Sequence, residues 1–126
     1  MKFETTIVGR VGADPDVREV NGKKVTNYNV ACNVSKDKTV WVKVTTWEKR
    51  ADIDGKYIKK GMLVMCTGTL QSDESGKPRT YTDGSGNVKA SGFELTAYTV
   101  LFLSKTNADG GSSDTAETTL SETIPF

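Results

Sequence analysis

Between Val40 and Trp47 the chain alternates without a break, with Val40, Val42, Val44 and Thr46 at even positions and Trp41, Lys43, Thr45 and Trp47 at odd ones. Successive side chains of a β-strand point to opposite faces, so the pattern describes one half-buried strand, Thr39–Glu48. With the valines inward, both tryptophans stand outside with a lysine between them. The opposite assignment leaves three valines and a threonine on an uncharged solvent face and buries Lys43, which disfavours it. The strand rise puts the two rings roughly 20 Å apart, too far to stack on each other. They can instead engage two separate points of one extended ligand. The competing use of either ring is packing beneath a helix or against another subunit.

The other elements arrange themselves around that strand. Phe3–Val11 alternates loosely and stops at the turn cluster Gly12-Ala13-Asp14-Pro15. Asp16–Val20 reads as a short continuation, turned by Asn21-Gly22, the strongest hairpin dipeptide. Lys24–Val34 then places Tyr28, Val30, Cys32 and Val34 on one face and Asn27, Asn29 and Asn33 on the other, which makes Tyr28 a core residue. Met62–Leu70 and Phe93–Leu103 are the remaining long strands. Ala51–Lys60 is the helical candidate: Ala51, Ile53 or Asp54, Tyr57 and Ile58 approximate a one-sided stripe, and Gly61 falls where a C-terminal cap belongs. Gln71–Ser91, rich in Gly, Ser, Asp and Lys, is too long for a structureless loop in a compact domain. A protruding hairpin centred near Asp83–Asn87 accounts for it.

This order predicts an all-β fold: a five-stranded OB-type barrel, one short helix between strands three and four plugging an end, and the hairpin between strands four and five. From Ser104 the composition turns to Asn, Asp, Gly, Ser and Thr, with almost nothing to bury. Residues 1–104 are therefore expected to form one domain and residues 105–126 a disordered tail.

Composition narrows the chemistry. The chain has no histidine, and its two cysteines, Cys32 and Cys66, fall inside strands, where they read as reduced core thiols and not as metal ligands. Neither a metal nor a cofactor is expected. Without histidine the commonest general base is missing, so catalysis is not expected either. The remaining route to hydrolytic chemistry would be Asp14, Asp16 and Asp83 meeting in space. No apolar run approaches the ~20 residues that span a bilayer, and Met1-Lys2-Phe3-Glu4 leads into alternation instead of a secretion signal, so a cytoplasmic location is expected. The net charge of +1 conceals a split. Residues 1–104 carry sixteen Lys and Arg against twelve Asp and Glu, a net of +4, whereas Lys105 faces four acidic residues in the tail, a net of −3. A basic body with an acidic tail is an asymmetry frequent in nucleic-acid-binding proteins.

An exposed aromatic pair beside lysines suits a ligand of that kind. Every base has a π-face, so stacking contributes ~1–3 kcal/mol per base whatever its identity, while lysines neutralise phosphates and release counterions. Trp41, Trp47 and Lys43 fit this description. Tyr81 on the hairpin, with Lys77, Arg79 and Lys89 near it, is a third stacking candidate, set against its reading as a solvated hairpin tyrosine. Lys24 and Lys49, with Lys23, Lys36, Lys38 and Arg50, are candidate phosphate contacts, although a lone exposed lysine is more often plain surface. The tail ends on Ile124-Pro125-Phe126, its one apolar cluster. Phe126 with its carboxylate suits an apolar pocket beside a basic residue, and Pro125 limits the entropy lost on docking.

Five short motifs, in order, resemble those of bacterial single-stranded DNA-binding proteins. Val8-Gly9-Arg10-Val11-Gly12-Ala13-Asp14-Pro15-Asp16-Val17-Arg18 looks like the family's first strand and turn, V-G-x-L-G-x-D-P-E-x-R. Trp41 to Trp47 resembles W-x-x-V-x-x-[FW], and Tyr57-Ile58-Lys59-Lys60-Gly61 resembles Y-[LI]-x-K-G. Arg79-Thr80-Tyr81-Thr82-Asp83 is similar to R-x-[WY]-x-D, and Ile124-Pro125-Phe126 to a terminal I-P-F. The resemblance implies an OB fold, a homotetramer, and single-stranded DNA bound without sequence preference at the nucleoid during replication, recombination and repair. It also implies that Trp41, Trp47 and Tyr81 stack on bases, and that Ile124, Pro125 and Phe126 dock replication and repair proteins. The chain departs from the pattern in three places. The Ser35–Lys38 loop is short and no aromatic closes the second strand, the tip carries only Glu122 where the family is densely acidic, and the stretch Ser104–Thr119 is brief. The rival readings are an OB-fold adaptor or RNA binder, and a small nuclease.

Overall fold

A computed structural model describes residues 1–103. Their elements are β1 (Thr5–Val11), β2 (Asp16–Val20), β3 (Lys23–Ser35), β4 (Lys38–Trp47), α1 (Glu48–Tyr57), β5 (Leu63–Leu70), β6 (Thr80–Thr82), β7 (Val88–Ala90) and β8 (Phe93–Phe102). The tail and its Ile124-Pro125-Phe126 tip lie outside the described residues.

β1 pairs antiparallel with β5 from Thr5 to Arg10, and β5 with β8. β8 runs parallel to β4, β4 pairs with β3, and β3 returns to β1 at Arg10 and Val11, which closes the sheet. β2 adds to the outer edge of β3 through Asn21 and Gly22, both with positive φ (51° and 80°), as a two-residue hairpin turn of the I′ type requires. The result is the five-stranded OB barrel, with α1 between its third and fourth strands and the β6–β7 arm between its fourth and fifth. A barrel of this size is filled by its own side chains. Val11, Tyr28, Val30, Val42, Val44, Val64, Leu95 and Val100 fill it, and Ile58 and Met62 join them from the segment after α1. In that core the Tyr28 hydroxyl lies 3.5 Å from Cys66 Sγ. Burial pushes the Cys66 thiol up to about 12 and raises the Tyr28 hydroxyl as well, so both stay neutral.

Two local expectations are corrected. The helix spans Glu48–Tyr57, three residues earlier than the stripe at Ala51–Lys60 indicates. It starts directly from Trp47, which is extended and gives no side-chain cap, and Glu48 takes a left-handed φ of 55° at the junction. What fixes the helix is its underside. Ala51, Asp54 and Ile58 are buried while Ile53 and Tyr57 are exposed. Thr26 Oγ1 donates to the Ala51 carbonyl at 2.7 Å, and Arg50 donates to Asp54 Oδ1 from Nε (3.0 Å) and Nη2 (2.7 Å). Burial pushes the Asp54 carboxyl above its ordinary range, against the pull of Arg50 and the Thr46 hydroxyl. Gly61 does not cap the helix. It takes its φ of 90° in the turn before β5, where its N–H donates to the Val11 carbonyl at 2.8 Å.

The second correction concerns Val34. It is exposed and not part of the core face, because the β3–β4 register shifts between Asn33 and Ser35 and turns the end of the strand outward.

The segment from Gln71 to Ser91 is built from two similar five-residue loops, Asp73-Glu74-Ser75-Gly76-Lys77 and Asp83-Gly84-Ser85-Gly86-Asn87. In each the leading aspartate accepts backbone N–H groups two and four residues on, at 2.9 to 3.0 Å. Those bonds hold both carboxyls below the usual carboxylate range, so the loops are closed by their own anions. The second loop joins β6 to β7 as the expected hairpin.

Candidate nucleic-acid interface

The face of β4 is set by what lies under it. Val42, Val44 and Thr46 are buried, so Trp41, Lys43 and Trp47 face outward, with Trp41 54% and Trp47 41% exposed. In the β3 register Ala31 stands opposite Trp41, Asn29 opposite Lys43, Asn27 opposite Thr45 and Val25 opposite Trp47. Asn27 Oδ1 accepts from Thr45 Oγ1 at 2.6 Å. On the other side, the parallel neighbours are Glu94 beside Lys43 and Thr96 beside Thr45. The outward surface is therefore a row of two indoles with polar, hydrogen-bonding side chains between them. Lys43 makes no ion pair among the described residues.

Glu94 links this row to the arm. Arg79 Nη1 donates to Glu94 Oε2 at 3.0 Å, its Nε donates to the Ser72 carbonyl at 3.1 Å, and Gln71 N–H bonds the Glu94 carbonyl at 2.8 Å. The arm thus springs from the barrel beside the middle of β4, and Arg79 is engaged as its fastening. Tyr81 stands on the arm, 52% exposed, with Lys89 as its cross-strand partner. Lys89 Nζ in turn lies 3.4 Å from Asp83 Oδ2. Lys77 is at the arm's base, its backbone N–H bound to Asp73.

The candidate cations do not converge. Lys49 opens the outer side of α1 two residues after Trp47 and makes no ion pair among the described residues. Lys24 turns to the helix and binds Asp52 Oδ1 at 2.7 Å, an exposed pair that raises the lysine and lowers the carboxyl. Lys24, Lys23, Lys49, Glu48, Asp52 and Gly22 line a shallow concavity beyond the end of β4. Two of its lysines are matched by acids, Lys24 by Asp52 and Lys23 by Glu48 at 3.5 Å. Pairs this exposed contribute little and are easily exchanged for phosphate.

The three aspartates proposed for hydrolysis do not meet. Asp14 accepts the Lys60 N–H at 2.9 Å, Asp16 binds Arg18 Nε at 2.7 Å, and Asp83 closes its own loop. Among the described residues, no three His, Cys, Asp or Glu side chains group to hold a metal ion. No helix among them is long and apolar enough to cross a membrane.

Sequence reasoning missed four residues in or beside this row. Glu94 gave no signal of its own, because its role depends on a parallel register that only the closed barrel creates. Phe93, in register with Val42 at the start of β8, is a further exposed aromatic. The outward asparagines Asn27 and Asn29 were visible as a polar face of β3, and pairing that face with the β4 pattern would have placed them between the indoles.

The model of the single-strand binding protein family matches residues 3–103. Single-stranded DNA-binding protein 1 of Nostoc sp. is 35% identical over 115 residues, covering 88% of this chain and 92% of that protein. The single-stranded DNA-binding protein of Neisseria meningitidis serogroup B is 32% identical over 114 residues, covering 83% of this chain. The chain spans 62% of the length of that relative. Among solved structures, the second single-stranded DNA-binding protein of Mycobacterium smegmatis superposes with a TM-score of 0.60 at 22% identity, covering 81% of this chain and 89% of that one. That likeness is one of fold.

Proposed function

The chain belongs to the single-strand binding protein family, and on that footing we propose that it covers single-stranded DNA without regard to sequence and performs no chemistry on it. The observation that carries this reading is the outward pair Trp41 and Trp47 on β4, with Lys43, which makes no ion pair among the described residues, between them. Bases stack on the two indoles, and Lys43, Lys49, Lys77 and Lys89 neutralise phosphates along the path. Tyr81 offers a third ring from the arm. Arg79 and Lys24 join them by exchanging Glu94 and Asp52 for phosphate. Stacking uses the face common to all bases, and phosphate contacts carry no sequence information.

We assign the domain to residues 1–104 and the tail to residues 105–126, with Ile124, Pro125 and Phe126 as a docking peptide for enzymes of replication, recombination and repair. The site of action is the cytoplasm, at the nucleoid. A homotetramer is the proposed assembly. Among the described residues no strand pairs with the outer edge of β1 over Thr5–Val8, and an open edge of that kind accepts the same strand from a second copy.

Addition of poly-dT is expected to quench the tryptophan emission of the full chain, with an affinity that falls steeply as salt rises, because bound lysines release counterions. Unchanged emission together with no shift in a gel would remove the reading. Deleting Ile124–Phe126 is expected to leave the dT titration and the assembly size unaltered while emptying a pull-down of repair and replication enzymes. Retention of the same partners by the shortened chain would end the docking assignment.

A further inference from the structure

A glycine is required where the backbone is left-handed, where other backbone comes close, or where a side chain does. Gly12 meets only the last condition. It is not among the positive-φ glycines, and its N–H donates to the Asn29 carbonyl at 2.9 Å, so its backbone simply continues the β1–β3 pairing. A methyl carbon on Gly12 would fall 2.6 Å from Cζ3 and 3.0 Å from Cη2 of Trp41, and the next nearest atom, the Asn29 carbonyl oxygen, is 3.8 Å away. The space that Gly12 leaves empty is thus used by the benzo end of one indole. β3 lies between β4 and Gly12, so the ring spans that strand, where its register partner is the small residue Ala31. Small residues at both places let the ring lean across the barrel wall.

We propose that Gly12 is a positioning residue for base stacking, its bare Cα serving as the rest that holds the Trp41 indole in place. The proposal relies on the stacking role assigned to Trp41 above. An unsupported exposed indole samples several rotamers and must be ordered when a base arrives, whereas a ring already seated gives up less entropy on binding.

The substitution that tests this is mild. The atoms in the way belong to the far end of a side chain, and Gly12 has a backbone conformation open to alanine, so Gly12→Ala displaces the ring and spares the barrel. In a chain carrying Trp47→Phe, Trp41 is the sole tryptophan and reports directly. There, Gly12→Ala is expected to shift the emission of the free protein to longer wavelength and to weaken dT binding about three- to tenfold, a part of the stacking contribution. Thermal unfolding of the variant is expected to match its parent. Ala31→Val, which crowds the same ring from β3, is expected to act in the same direction. Neither substitution is expected to matter once Trp41→Ala has removed the ring. Unchanged affinity for Gly12→Ala where Trp41→Ala weakens binding overturns the positioning role and leaves the stacking role intact. The same loss with and without the indole overturns it too, because the effect would not pass through the ring. If Trp41→Ala itself leaves binding unchanged, the stacking role fails and this proposal falls with it.

Discussion

Replacing Trp41 and Trp47 together with alanine is expected to weaken binding of a dT oligonucleotide by about two to four orders of magnitude. Each stacked base contributes ~1–3 kcal/mol, and every ~1.4 kcal/mol is a factor of ten in affinity. The rings stand roughly 20 Å apart and share no partner, so their losses add. Both indoles project from the barrel while Val42 and Val44 fill it from the other side of the same strand, and the fold survives the change. Those are the only two tryptophans in the chain, so anisotropy of a labelled oligonucleotide is the suitable readout. The loss is expected to be equal for dT and for mixed sequence. A loss confined to one sequence would mean that base edges are read in place of base faces. Undiminished affinity would remove β4 from the binding surface altogether.

The largest expected effect on stability comes from a single methyl group. Gly68→Ala is expected to destabilise the barrel by about 3 kcal/mol or more, lowering the melting temperature by roughly 15 °C for a domain of this length. The added carbon would lie 2.0 Å from the Thr96 carbonyl oxygen, 2.6 Å from Ala97 Cα and 2.8 Å from the Thr96 carbonyl carbon. All three are backbone atoms, so no side chain can turn aside and β5 and β8 must part. They would part where their register already shifts, between Thr67 and Gly68. Calorimetry of Gly68→Ala beside Gly12→Ala makes the comparison internal. The same chemical change is expected to unsettle the fold at Gly68, where it meets backbone, and to spare it at Gly12, where it meets the tip of an indole. Equal melting temperatures for the two variants would contradict the close approach of β5 and β8.

The alternation of Val40–Trp47 was enough to orient that strand, because each face of it is uniform in chemistry and a one-residue slip would bury Lys43. Asn21-Gly22 located its turn equally well, since few dipeptides tolerate positive φ at both positions. The helix was displaced by three residues in the reading because its start is marked by no capping side chain. Helix formation there depends on burial of Ala51 and Asp54 and on the Thr26 hydroxyl, which reaches the Ala51 carbonyl from β3, an element distant in sequence. Val34 was assigned inward for a related reason: a bulge changes which face a residue occupies without any change in composition. For the candidate site, residue types pointed to rings and cations as candidates but not to their company. Arg79 and Lys24 looked equivalent to Lys43 as basic residues, yet each has an acidic partner supplied by another strand or by the helix. Gly12 resembled a turn glycine, and its relation to Trp41 exists only because β1 closes onto β3 with the indole lying across the seam.

Trp47 is the final residue of β4 and at the same time the residue from which α1 begins. Trp41 and Trp47 therefore occupy one continuous strand whose far end runs into a helix that Thr26 of β3 holds through the Ala51 carbonyl. The interval between the two rings behaves as a ruler cut into the scaffold, with graduations set by strand pitch. Loops, arm and surface lysines are then at liberty to diverge, while the spacing that the proposed stacking surface offers to successive bases stays the same.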